Sequence, residues 1–99
     1  MSKATLYLSG PVSGQDDALA RFAQVAAYYR AQGYTVINPC EIVPPDADWD
    51  TAMDLCMEAL RGADKLVRLR GWSRSRGASR EVAQMLIWGR PVEDAPAEW

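Results

Sequence analysis

The chain has 99 residues, 48% of them apolar, and a net charge of −2. That is enough for one domain with one modest core, and the charge argues against polymeric nucleic acid or a membrane surface as partner. Two cysteines and no histidine give neither a disulfide framework nor metal-ligand spacing, and they exclude every histidine-based triad.

The N-terminal run ATLYLSG (residues 4–10) is short, apolar and closed by a Gly-Pro break, which predicts a first strand. It is far too short for a signal peptide, and no stretch is apolar for long enough to cross a bilayer, so the expectation is a cytoplasmic domain over residues 1–99. Residues 16–32 set Leu19, Phe22, Ala26 and Tyr29 at helical spacing, with Asp16 and Asp17 in the first turn and Gly33 as the stop. YTVIN (34–38) reads as a second strand and PCEIVPPDAD (39–48) as a loop with three prolines. A second helix follows to Arg61, with Trp49, Met53, Cys56, Met57 and Leu60 on one stripe and Asp50, Asp54 and Glu58 on another. DKLVRLR (64–70) predicts a third strand, residues 78–88 a third helix, and RPV (90–92) the start of a short edge strand.

Strand–helix alternation with short links predicts an α/β fold, a small three-layer sandwich around a mostly parallel sheet of three or four strands, flavodoxin-like or Rossmann-like. In such sheets ligands bind outside the carboxyl ends of the strands. Those ends are Ser9-Gly10-Pro11, Asn38-Pro39 and Arg70-Gly71-Trp72, and the start of the third helix lies on the same rim.

Charge is unevenly spread. Residues 31–60 carry six acids and no base, whereas residues 61–80 carry seven bases and the one acid Asp64. Immediately after the basic segment, Glu81 sits in the second turn of the third helix beside its apolar stripe. Its i±3 and i±4 neighbours are Ala78, Gln84, Gly77 and Met85, so no local cation pairs with it. A carboxylate so placed is expected to be desolvated, with a raised pKa. A plain helix-dipole role is the structural alternative. Ser75, Gly77 and the free amides at the helix start form a candidate anion site, with Arg74, Arg76 or Arg80 adding charge; the alternative is a solvated turn with Ser75 as N-cap. Trp49 is expected in the core and Trp72, in a loop at the sheet edge, is the better candidate for stacking on a base. Trp99 reads as an oligomer contact or a loose terminus, and Asp64, at the opposite end of the sheet, as structural.

Taken in order, LYLSGPVSG, VINPCEI, a tryptophan before the second helix, GW after the third strand and SRGASREVAQMLIWGRPV resemble a small bacterial and phage family of unknown function. That family is related to nucleoside 2-deoxyribosyltransferases and nucleotide N-glycosidases. The resemblance spans residues 5 to about 92. It implies a deoxyribosyltransferase-like fold and chemistry at the N-glycosidic bond of a nucleoside or nucleoside 5′-monophosphate. It implies Glu81 as nucleophile, Ser75 and Gly77 at a phosphate, and Tyr7, Ser9 and Gly10 lining the pocket; from the strand ends and the basic loop, Pro11, Asn38, Trp72 and Arg76 are expected to complete the substrate contacts. No metal or organic cofactor is implied, and the relatives suggest a homodimer or larger assembly. One position departs from the pattern. Where those enzymes carry a second acid on the preceding helix, eight residues before Asp64, this chain has Cys56. Asp54 takes that role only if the helix register shifts by a turn. Without it, the chain is a slow enzyme or a non-catalytic nucleotide-binding module, such as a sponge for a nucleotide signal; a scaffold role is the third reading.

Overall fold

The computed structural model describes residues 3–99. Strand β1 (Thr5–Ser9) leads through helix α1 (Ala18–Arg30) to β2 (Thr35–Ile37). A short helix α2 (Pro39–Ile42) and a longer one, α3 (Trp49–Leu60), lead to β3 (Lys65–Arg68). A single 3₁₀ turn (Trp72–Arg74) precedes helix α4 (Arg76–Ile87) and the last strand, β4 (Val92–Asp94).

The four strands form one all-parallel sheet in the order β2-β1-β3-β4. The chain therefore steps from β1 to one side, then returns past β1 and continues on the other. Crossovers of one hand in opposite directions put their helices on opposite faces. Accordingly α1 covers one face, with Phe22, Val25 and Ala26 against Leu6, Leu8, Val36 and Val67. Helices α3 and α4 cover the other, with Cys56, Leu60, Val82 and Met85 around Tyr7 and Leu66. The period of two in β1 makes this division: Leu6 and Leu8 face α1, and Tyr7 and Ser9 face α4.

The remaining elements follow from local chemistry. Pro39–Ile42, expected as loop, is a helical turn because Asn38 Oδ1 accepts the Cys40 amide at 3.0 Å and Pro39 already has a helical φ at the first position. Helix α4 starts two residues before the expected Ala78, because Ser75 Oγ accepts the Ala78 amide at 3.2 Å and so caps it. Asp64 is structural, as read: its amide donates to Thr5 O and its Oδ2 accepts the Thr5 amide, both at 2.8 Å, which registers β3 against β1. The edge strand lies two residues later than its expected start. Leu19, set on the apolar spacing of the first helix, is outside the core at 68% exposed, since α1 packs through Ala18, Phe22 and Val25; α4 packs through Ala78, Glu81, Val82 and Met85. Trp99 packs within its own chain, edge-on to Tyr28 at 5.1 Å, with its carbonyl accepting the Arg70 amide. Among the described residues no helix is long and apolar enough to cross a membrane.

At the carboxyl end of β1 the chain passes very close to β3. A Cβ added to Gly10 would lie 2.8 Å from Leu69 Cβ, a buried side chain with no room to retreat. Gly10→Ala is expected to destabilise the fold by roughly 1–3 kcal/mol through overpacking. The check is the urea midpoint at unchanged slope; an unaltered midpoint would show that β1 and β3 separate easily here.

Candidate active site

The side chains at the carboxyl end of β1 converge on one carboxyl group. Glu81, on the second turn of α4, is 5% exposed. Tyr7 Oη donates to its Oε2 at 2.5 Å and Ser9 Oγ to its Oε1 at 2.7 Å. Alternation along β1 aims both hydroxyls at α4, and the helix turn brings Glu81 down between them. The Cys56 thiol of α3 stands beside the group. Burial pushes the Glu81 carboxyl up from its ordinary range; the hydrogen bonds from Tyr7, Ser9 and Cys56 oppose that without cancelling it. Burial and then the charge of Glu81 push the Tyr7 hydroxyl far up, so it remains a donor. Burial likewise raises the Cys56 thiol, which stays protonated near neutrality.

Glu81 opens onto a cavity of about 490 Å³. Gly10, Cys56 and Ala78 border it near the carboxylate, and Ser75 and Gly77 bring the start of α4 to its wall. The rest of the lining comes from the proline-rich segment after β2, from Trp49 and Met53 of α3, and from Val12 and Leu19. Gly77 permits this approach of α4 to α3, since a Cβ there would lie 3.1 Å from Met53 Sδ. The Ser75 hydroxyl, while accepting as a cap, keeps its own hydrogen to donate. The first amides of α4 have no acceptor within the helix. The start of α4 can therefore offer several donors to an anionic group.

Of the residues expected from sequence, Gly10, Ser75, Gly77 and Glu81 line the cavity, and Tyr7 and Ser9 lie beneath Glu81 and hold it. Five others do not line the cavity. Asp54 is exposed on α3, because Met53 and Cys56 take the inward positions around it. Asn38 is buried as the cap of α2. Pro11 turns toward Gly71, where the positive φ of 86° leaves room only for a glycine. Trp72 lies under the Arg68 guanidinium, 4.5 Å from its ring centroid, and borders a separate depression. Arg76 is exposed and rests on Trp49. Glu81 is thus the only charged residue lining the cavity among the described residues, despite the basic segment before it. Sequence reasoning missed Trp49, Met53 and the proline-rich wall. The three prolines were the available signal, since they stiffen a segment that ends at the ligand rim.

Residues 4–93 match the family described as Domain of unknown function (DUF4406). The chain belongs to the DUF4406 family. No curated protein matches it. Among solved structures, this DUF4406 chain resembles a 2-deoxyribosyltransferase from the psychrotolerant bacterium Bacillus psychrosaccharolyticus, with a TM-score of 0.73 at 21% identity over 92% of this chain and 71% of that one. It also resembles a conserved protein from Enterococcus faecalis V583, with a TM-score of 0.74 at 23% identity over 94% of this chain and 63% of that one. At such identities the likeness establishes a deoxyribosyltransferase-like fold.

The raised Glu81 pKa has a consequence for stability. A carboxyl whose folded pKa lies above its unfolded value binds its proton more tightly in the folded state. Stability is then lost as pH rises from about 4.5 through the folded value, and the penalty persists above it. Glu81→Gln removes that penalty. Its stability relative to wild type is therefore expected to increase as pH rises above about 4.5 and to level off once the folded carboxyl has ionised. Urea denaturation of both proteins across this range checks it; a constant or falling difference would mean that Glu81 is not desolvated in the folded protein.

Proposed function

We propose that this protein acts at the N-glycosidic bond of a nucleoside or nucleoside 5′-monophosphate, with Glu81 as the nucleophile. The supporting observation is the placement of Glu81: one buried carboxylate, each oxygen held by a hydroxyl, facing a cavity at the strand ends of a deoxyribosyltransferase-like fold. In this reading one Glu81 oxygen attacks the anomeric carbon as the bond to the base breaks. The bonding pair leaves with the base nitrogen, which takes a proton from water. Water or a second base then displaces the carboxylate from the sugar. Tyr7 and Ser9 fix the carboxylate's direction and keep it anionic enough to attack. A 5′-phosphate, where present, lies against Ser75, Gly77 and the first amides of α4.

One observation favours a second reading. Cys56 occupies the inward α3 position beside Glu81, and no second carboxylate lines the cavity among the described residues. Without an acid for the leaving base, the pocket would capture a nucleotide and leave it intact.

A panel of nucleosides and 5′-monophosphates, followed for free base by chromatography, separates the two. Wild type is expected to release base, and Glu81→Gln to lose activity by a factor on the order of 10³ or more. The rate is expected to rise with pH along an acid limb set above 4.5, because only the carboxylate attacks and burial raises its pKa. Tyr7→Phe removes a donor to that carboxylate and is expected to move the limb to higher pH. Retention of a nucleotide by both wild type and Glu81→Gln, with no base released, would establish the binding reading instead.

A further inference from the structure

The two tryptophans near the ligand rim exchange their expected roles. Trp72 is turned away, under Arg68, beside a depression shared with Asp94 and Trp99. Trp49 opens α3, is half-buried, and lines the Glu81 cavity. The Arg76 guanidinium sits 3.7 Å from its ring centroid. That stack ties the start of α3 to the start of α4 and restrains the indole.

The wall around Trp49 is apolar. Pro39, Val43, Pro44, Ala52 and Met53 line the cavity with it, and none has a side chain that forms strong hydrogen bonds. The side-chain hydroxyls lining the cavity, Ser13 and Ser75, belong to the loop after β1 and to the α4 cap. The lining is therefore divided by element: the carboxylate and helix amides belong to α4 and the hydroxyls to its cap and the loop after β1, whereas α3 and the proline-rich segment give aromatic, aliphatic and thiol surface.

We propose that Trp49, braced by Arg76, is the residue that holds the aglycone, and that this slot selects flat, weakly polar aglycones by stacking and shape. The ligand is named as a glycoside on the strength of the glycosidic reading above; the slot itself rests on the division of the cavity. A site that reads hydrogen-bonding edges rejects analogues lacking them by roughly 10⁴-fold or more, whereas an apolar slot separates similar shapes by only about 10- to 200-fold. Trp49 is thus a specificity-determining residue, and natural bases and hydrogen-bond-poor analogues are treated nearly alike.

The test is equilibrium binding, by titration calorimetry, of adenosine, inosine and ribosylbenzimidazole, whose aglycone lacks the exocyclic groups of the purines. Wild type, Trp49→Ala, Trp49→Phe and Trp72→Phe are compared, each checked for native circular dichroism. The benzimidazole compound is expected to bind within about tenfold of the two purine nucleosides. Trp49→Ala is expected to weaken all three roughly 10- to 100-fold, Trp49→Phe to restore much of the loss, and Trp72→Phe to change little. Loss of more than about a thousandfold on removing the purine edge groups would overturn the proposal, as would unchanged binding by Trp49→Ala. If all three bind as expected but wild type releases no base, the slot stands and the glycosidic reading fails. If base is released but Trp49 does not matter, the reading stands and the slot fails. If no compound binds at millimolar concentration, the slot falls.

Discussion

A buried carboxylate held between two hydroxyls is the constraint around which this small fold is arranged. Removing Glu81 from water is costly unless its oxygens are satisfied. Tyr7 and Ser9 supply one donor each, and both come from the central strand β1. The group can be held only if β1 lies inside the sheet, if its odd residues face α4, and if α4 crosses the strand ends with its second turn over Ser9. The flanking strands, the tight passage at Gly10 and the cap at Ser75 all maintain that arrangement. The compensation is partial, since burial still raises the Glu81 pKa. Strain of this kind at a buried ionisable group is a common mark of functional sites.

The electrostatics of the cavity differ from those of the chain. Seven bases lie between residues 61 and 80, yet among the described residues no arginine lines the cavity. Arg68 pairs with Asp94 and covers Trp72, and Arg76 covers Trp49. Their long side chains find aromatic faces and carboxylates at the surface before they reach the pocket. What remains near Glu81 is neutral: hydroxyls, two thiols, helix amides and apolar walls. A nucleophilic carboxylate benefits from that, because an adjacent arginine would pair with it and blunt its attack.

The fold is shared with a 2-deoxyribosyltransferase at 21% identity, and a fold by itself does not carry an activity. The functional reading depends on the site: Glu81 and its two donors, the cavity above them, and the capped start of α4. The α3 position is where the site is least like a two-acid enzyme, because Cys56 and not a carboxylate points inward. With a thiol kept protonated by burial beside Glu81, a base departing in the proposed reaction would depend on solvent for its proton. The open cavity provides that access.

Much of this was legible along the chain. Periodicity gave the order of strands and helices, alternation gave a parallel sheet, and the absence of any base at i±3 or i±4 marked Glu81 as an unpaired carboxylate beside an apolar stripe. These are short-range properties, set by side-chain spacing and backbone preference. The fate of the longer side chains was not legible. That Asn38 would cap a helical turn and that Trp72 would lie under Arg68 are local contacts that side-chain spacing does not choose among, and that Trp49 would line the pocket depends on contacts between residues distant in sequence. The sequence alone determined which group was chemically out of place. Only the tertiary structure decided which side chains surround it, because those partners come from different crossovers and meet only when the sheet has closed its register.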